Sequence, residues 1–319
     1  MLQLTRRQAL IGASALAASC AHRPQPMARE GRIAVPGGEV VWRRFGDGPK
    51  TPLLAVHGGP GAPSDYLEPL AALGDERSVY LWDQLGCGRS DRPADPSLWN
   101  IPRFVEEMHA VRTALGLRRV HILGQSWGTC LSVDYLLSKG EGGVASLVLA
   151  GPVLSASRYV ADVRPMLREL SPQQQAAIAE AERTGRFDTP EYMAATEAFY
   201  ALHLARHPNE QTGVLWQRTF EGLGQDSYVA MNGPSEFSIL GSLRSYEREA
   251  DLARLHVPVL YVSGQYDTCT PGASRQYASH TPNAEVAVIP NSGHATTIDE
   301  PDAFNAVVRR FIEAHDGYF

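Results

Sequence analysis

The 319-residue sequence predicts an α/β protein, a mostly parallel sheet covered by helices on both faces with a helical cap inserted into it. Three observations carry that prediction. Short apolar runs bounded by Gly or Pro alternate with helical patterns from about residue 32 onward; residues 155–245 break the alternation with helix formers alone; and 44% hydrophobic with 20% charged residues supplies a large core.

In chain order, "GEVVWRRF", "PLLAVHGG", "SVYLWDQ", "RRVHILG" and "ASLVLAGP" read as strands, and "VPVLYVSG" and "AEVAVIP" follow the interruption. Helices are expected over "FVEEMHAVRTALG", the stretch after Ser126, "PGASRQYASH" and "PDAFNAVVRRFIEAH". The core therefore takes residues 31–154 and 246–319. The cap takes residues 155–245, where "RPMLRELSPQQQAAIAEAERTG" and "TPEYMAATEAFYALHLARH" contain no β run; such an insertion closes over a pocket and excludes water.

The first 20 residues differ. Arg6 and Arg7 precede the short apolar run "ALIGASALAA", and no acidic residue occurs before Glu30, which is the pattern of an export signal. The arginine pair resembles a twin-arginine signal, and "LAASC" resembles a lipoprotein cleavage box with Cys20 as the anchored residue. The expected location is periplasmic, with residues 21–30 as a tether and the membrane touched only through Cys20.

A net charge of −6 without basic runs argues against nucleic acid as a partner. No stretch after residue 30 approaches 18 consecutive apolar residues, so the body of the chain carries no spanning helix. Beyond Cys20, the widely spaced Cys87, Cys130 and Cys269 fit structural thiols better than a disulfide framework or a metal site.

The chemistry concentrates at "GQSWG", residues 124–128. In G-x-S-x-G at a strand-to-helix joint the serine is held in a strained conformation that lifts its hydroxyl clear of the sheet, and the glycines make room for neighbouring elements. Ser126 is the expected nucleophile. A serine hydroxyl needs a base, and the base needs a carboxylate. Asp267 ends the strand "VPVLYVSGQYD" and His294 follows "VAVIPNSG", both in loops after β runs. The set His57, Asp83 and Ser126 is set aside because the glycines of "HGGPG", residues 57–61, suit another task. That task is the oxyanion, for which the N–H groups of Gly59 and Trp127 are the expected donors. A neutral His294 acting as base implies an acid limb near pH 6 to 7.

"HGGPG", "DQLGCGRS", "GQSWG", "MNGPSEF", "GQYD" and "SGH" together resemble, in order and spacing, the proline iminopeptidase family of α/β-hydrolases, over roughly residues 30–315. The resemblance implies the α/β-hydrolase fold, no cofactor or metal, and release of an N-terminal residue, often proline, from small peptides, amides or arylamides. It also implies that Glu236 of "MNGPSEF" binds the substrate's free amino group. Some relatives carry a second amine-binding glutamate directly after the triad aspartate, where this chain has Thr268; a weaker demand for a free amine follows. Thr129, where relatives often have glycine, is expected to alter packing more than chemistry. The rival readings are a carboxylesterase acting on esters without a strict amine requirement and a hydrolase-like binding protein without turnover.

Overall fold

The computed structural model describes residues 27–317. The export signal, Cys20 and most of the tether lie outside the described residues. The tether's last residues, 27–30, are part of a strand: β1 (Met27–Val35) pairs antiparallel with β2 (Gly38–Val56).

The two runs read as the first strands join into this one 19-residue β2. Its register shows why both readings fit. Val41 to Phe45 face Asp83 to Val79 of β3 (Arg77–Asp83) in descending order, whereas Leu53, Leu54 and Ala55 face Val79, Tyr80 and Leu81 in ascending order. The chain thus folds back around β3, antiparallel to it first and parallel afterwards. Beyond β2 the sheet is parallel through β4 (Val120–Gln125), β5 (Val144–Ala150), β6 (Val259–Gly264) and β7 (Ala284–Ile289).

The buried strands are apolar on both sides, as a covered parallel sheet requires. Leu54 and Val56 join Ile122 in one core layer, beneath α1 (Ile101–Ala114) and α2 (Trp127–Lys139), while Leu53 and Ala55 join Leu123 in the other. A 3₁₀ stretch, Ser64–Asp75, covers that second face; its interior Pro69 hides it from a helix-period reading.

The cap holds five helices among the described residues: α3 (Ala156–Met166), α4 (Pro172–Thr184), α5 (Pro190–His203), α6 (Glu210–Glu221) and α7 (Gln225–Met231). The first of its two helical runs splits at Ser171, which caps α4 reciprocally with Gln174 while Pro172 takes the first helical position. Tyr159, Val163, Ile178, Tyr192, Phe199 and Phe237 give the cap an apolar core of its own. The chain returns to the sheet and closes with α8 (Pro271–His280), the short α9 (Thr296–Asp299) and α10 (Pro301–Ala314).

Candidate active site

Ser126 sits between β4 and α2 at φ 55° and ψ −123°, a conformation costly for a residue with a side chain. The flanking glycines permit it. A Cβ on Gly128 would lie 2.1 Å from the Val56 carbonyl oxygen, and one on Gly124 would lie 2.3 Å from the Gly128 carbonyl oxygen. Both obstacles are backbone and cannot rotate away. Gly128→Ala should therefore cost about 3 kcal/mol or more, lowering Tm in thermal denaturation by roughly 5 °C or more.

Thr129 does more than fill space. Its buried hydroxyl donates to the Ser126 carbonyl at 2.6 Å and accepts from the Val153 N–H at 3.1 Å, tying the strained residue to the loop after β5.

Asp267 and His294 lie at the ends of β6 and β7, and His294 Nδ1 is 2.7 Å from Asp267 Oδ1. The same oxygen accepts from the Cys269 N–H at 2.7 Å, and Oδ2 accepts from the Gly264 N–H at 3.3 Å, so backbone donors fix the carboxylate. His294 Nε2 is buried and makes no hydrogen bond among the described residues. No hydrogen bond joins it to Ser126 Oγ; both side chains line one cavity of about 230 Å³. Catalytic hydrogen bonds commonly close only when substrate is present.

Burial works against a charged His294. The charge and hydrogen bond of Asp267, reinforced by Glu236, outweigh it and lift the imidazole above its ordinary 6.5. A His294 acting as base must be neutral, so in that role activity should fall as pH drops through a value above 6.5, which a kcat/KM–pH profile checks.

His57 belongs to the scaffold. Its Nε2 accepts the Gln84 N–H at 2.8 Å, its Nδ1 lies 2.9 Å from the Gly58 carbonyl oxygen, and burial lowers its pKa, so the ring is neutral with the proton on Nδ1. Asp83 is engaged by Ser64 and Arg89. His121 is held by Ser146 and Asp316. Gly59 and Trp127 line the space in front of Ser126, and neither N–H donates to another group among the described residues, which leaves both free for an oxyanion.

Glu236 descends from the cap into the same space. Its Oε1 accepts from Tyr228 at 2.6 Å, and Tyr159 lies 3.5 Å from Oε2 while donating to the Glu236 carbonyl at 2.8 Å. No Lys or Arg pairs with it among the described residues. Burial raises its pKa, opposed by the attraction of His294 and the tyrosine hydrogen bonds. Thr268 is buried, near Asp267 Oδ1 at 3.5 Å, and lines neither cavity that Glu236 touches, so a single carboxylate serves this region.

Several contributors carry no local sequence signal. Tyr66 accepts the Gly58 N–H at 2.7 Å and donates to Gln125 Oε1 at 2.6 Å, and Gln125 in turn donates to the His294 carbonyl at 3.2 Å. One chain of bonds thus joins the glycine-rich loop, the elbow and the histidine loop. Gly151, at φ 55°, is the position where a Cβ would strike the His294 ring at 2.7 Å. The glycine after "SLVLA" is visible in the sequence, but the ring it faces is not.

A strained serine on a strand-to-helix turn, followed along the chain by a hydrogen-bonded pair in the order Asp, His, marks the protein as a serine hydrolase of the α/β-hydrolase class; the alpha/beta hydrolase fold model matches residues 51–301. A proline iminopeptidase of Heyndrickxia coagulans is 40% identical over 90% of this chain and 100% of its own length. The crystal structure of a Mycobacterium smegmatis proline iminopeptidase superposes with a TM-score of 0.80 at 30% identity, covering 90% of this chain and 99% of that one. The structure of VinJ gives 0.84 at 27%, covering 91% and 100%. The chain belongs to the proline iminopeptidase family.

Proposed function

We propose that this serine hydrolase releases a small N-terminal residue, proline foremost, from peptides, amides or arylamides, with Glu236 binding the free amino group. The observation that carries this reading is a tyrosine-bound carboxylate without a cationic partner among the described residues, lining the same cavity as Ser126 and His294.

Ser126 Oγ attacks the scissile carbonyl and gives its proton to His294 Nε2; the C–O bond forms as the carbonyl electrons move to oxygen, which the Gly59 and Trp127 N–H groups receive. His294 then protonates the leaving nitrogen, the C–N bond breaks, and an acyl-enzyme remains. Water attacks that ester with His294 again taking and returning the proton. Asp267 keeps the ring oriented and offsets its charge throughout.

Two opposite charges about 4 Å apart attract by roughly 4 kcal/mol at an effective dielectric of 20, part of which desolvation cancels. Glu236→Gln should therefore lower kcat/KM for prolyl-arylamide by about 10- to 100-fold, a net 1.4 to 2.7 kcal/mol, and leave the N-acetylated substrate much less affected. Glu236 also raises the His294 pKa, so the variant's acid limb should move to lower pH. Equal losses on both substrates would discard the amine role. The esterase reading keeps one supporting observation, the missing second carboxylate at Thr268, and comparable kcat/KM on free and acetylated substrates would favour it.

A further inference from the structure

Ser126, Gly59 and Glu236 each line two cavities, and these differ sharply. One holds only about 20 Å³ and is walled by Trp127, Cys130, Val153, Tyr159, Ile239 and Leu243 among others; the other holds about 230 Å³ and is walled by Tyr200, Trp216, Phe220 and Leu223. His294 lines only the larger one.

From that asymmetry we infer that the large aromatic cavity is the leaving-group site, and that the enzyme selects substrates whose departing amine carries a bulky uncharged apolar group, with Trp216 and Phe220 as the specificity-determining residues. The inference rests on the proposed acyl-enzyme reading. When Ser126 Oγ bonds to the carbonyl carbon and the oxygen enters the N–H pair, the acyl and amine substituents fall on opposite sides. The nitrogen must accept its proton from His294 Nε2 as the C–N bond breaks. It therefore departs on the His294 side, into the large cavity, and the released residue faces the small one.

The chemistry of the large cavity sets what it prefers. Trp216 and Phe220 meet edge to face at 5.0 Å, and Tyr200 stacks on Phe220 at 6.4 Å. Apart from Glu236 and His294, no Asp, Glu, Lys, Arg or His lines it. An aromatic group fills apolar surface there, while a charged one loses water without gaining a partner. Phe220 is also 44% exposed, so the mouth of the cavity presents an aromatic ring to solvent.

The test is a series of prolyl dipeptide amides, Pro-Phe-NH2, Pro-Leu-NH2, Pro-Gly-NH2 and Pro-Asp-NH2, which hold the acyl residue and the amine type constant. The wild-type kcat/KM should favour the phenylalanine member over the glycine member by about 10- to 100-fold, the burial of one aromatic side chain, with the aspartate member lowest. Phe220→Ala should shrink the Phe/Gly ratio several-fold. Trp216→Ala should do the same, but Trp216 also packs edge to face on Tyr66 at 6.4 Å, so the half-exposed Phe220 is the cleaner site. A flat series, or a ratio unchanged in both variants, overturns the inference and leaves the parent reading standing. Turnover of none of the series by enzyme that a fluorophosphonate still labels overturns the parent reading, and this inference with it.

Discussion

Ser126→Ala should lower kcat by roughly 10⁶-fold, the loss typical of removing the nucleophile from such a relay. The fold should not notice. Ser126 Oγ makes no hydrogen bond among the described residues, so its removal orphans no buried partner, and alanine fits wherever serine's Cβ already fits at φ 55°. Tm and circular dichroism should match the wild type, while labelling by a fluorophosphonate disappears. His294→Ala should cost a similar factor. The double variant should be no worse than either alone, because the two side chains act as one unit. A product of the two losses, or a Ser126→Ala enzyme keeping more than about a hundredth of the activity, would mean that hydrolysis runs through another nucleophile.

What the sequence disclosed, and what it hid, follows from how far each feature reaches along the chain. The elbow is local: strand, glycine, serine, glycine and helix all lie between Val120 and Lys139, and their sterics can be argued before any coordinates are known. Asp267 and His294 were legible because parallel strands deliver their following loops to one edge of the sheet. The joined β2 was legible only in part, since two apolar runs separated by a Gly-rich turn look alike whether the chain continues or breaks. Ser64–Asp75 was not legible, because Pro69 interrupts any helical period. Nor were Tyr66, Gln125 and Gly151, whose importance lies wholly in contacts with segments far away in the chain.

Asp299 illustrates that last point. Its Oδ1 accepts from the Arg206 and His207 N–H groups at 2.7 and 2.8 Å, and its Oδ2 accepts from Gly293 at 2.8 Å. The His294 and Ala295 N–H groups donate at 2.8 Å to the carbonyls of His203 and Leu204 at the end of α5. His294, the proposed base, is thus hydrogen-bonded through its backbone to the cap, so that the element covering the cavity and this histidine share one support. A sequence pattern gives residues 203–207 no reason to touch residues 293–299. Only the folded topology does.

Asp267→Asn should lower kcat at pH 8 by more than tenfold, up to the roughly 10⁴-fold that a wrong His294 tautomer costs, and the direction of its pH shift separates the two jobs of the carboxylate. The wild-type Oδ1 meets two donors at 2.7 Å, from Cys269 N–H and His294 Nδ1, whereas Oδ2 meets only the Gly264 N–H at 3.3 Å. The amide oxygen of asparagine should therefore keep the Oδ1 position, where two bonds are at stake, and place its NH2 against Gly264, where only the longer bond is lost. In that arrangement the His294 tautomer survives and only the negative charge is removed. The charge of Asp267 and its bond are among the causes that lift the His294 pKa, so without the charge the value falls and the acid limb moves to lower pH. Should the amide sit the other way, its NH2 faces Nδ1, which must then accept a hydrogen bond and leave the proton on Nε2, where it prevents that nitrogen from accepting the Ser126 hydroxyl proton. A kcat/KM–pH profile of the variant, with a ¹⁵N spectrum of the imidazole, tells these apart: an acid limb displaced downward with Nδ1 protonated confirms loss of charge, and an Nε2-protonated ring confirms loss of tautomer. A variant within tenfold of wild type at pH 8 would contradict both and remove Asp267 from the relay.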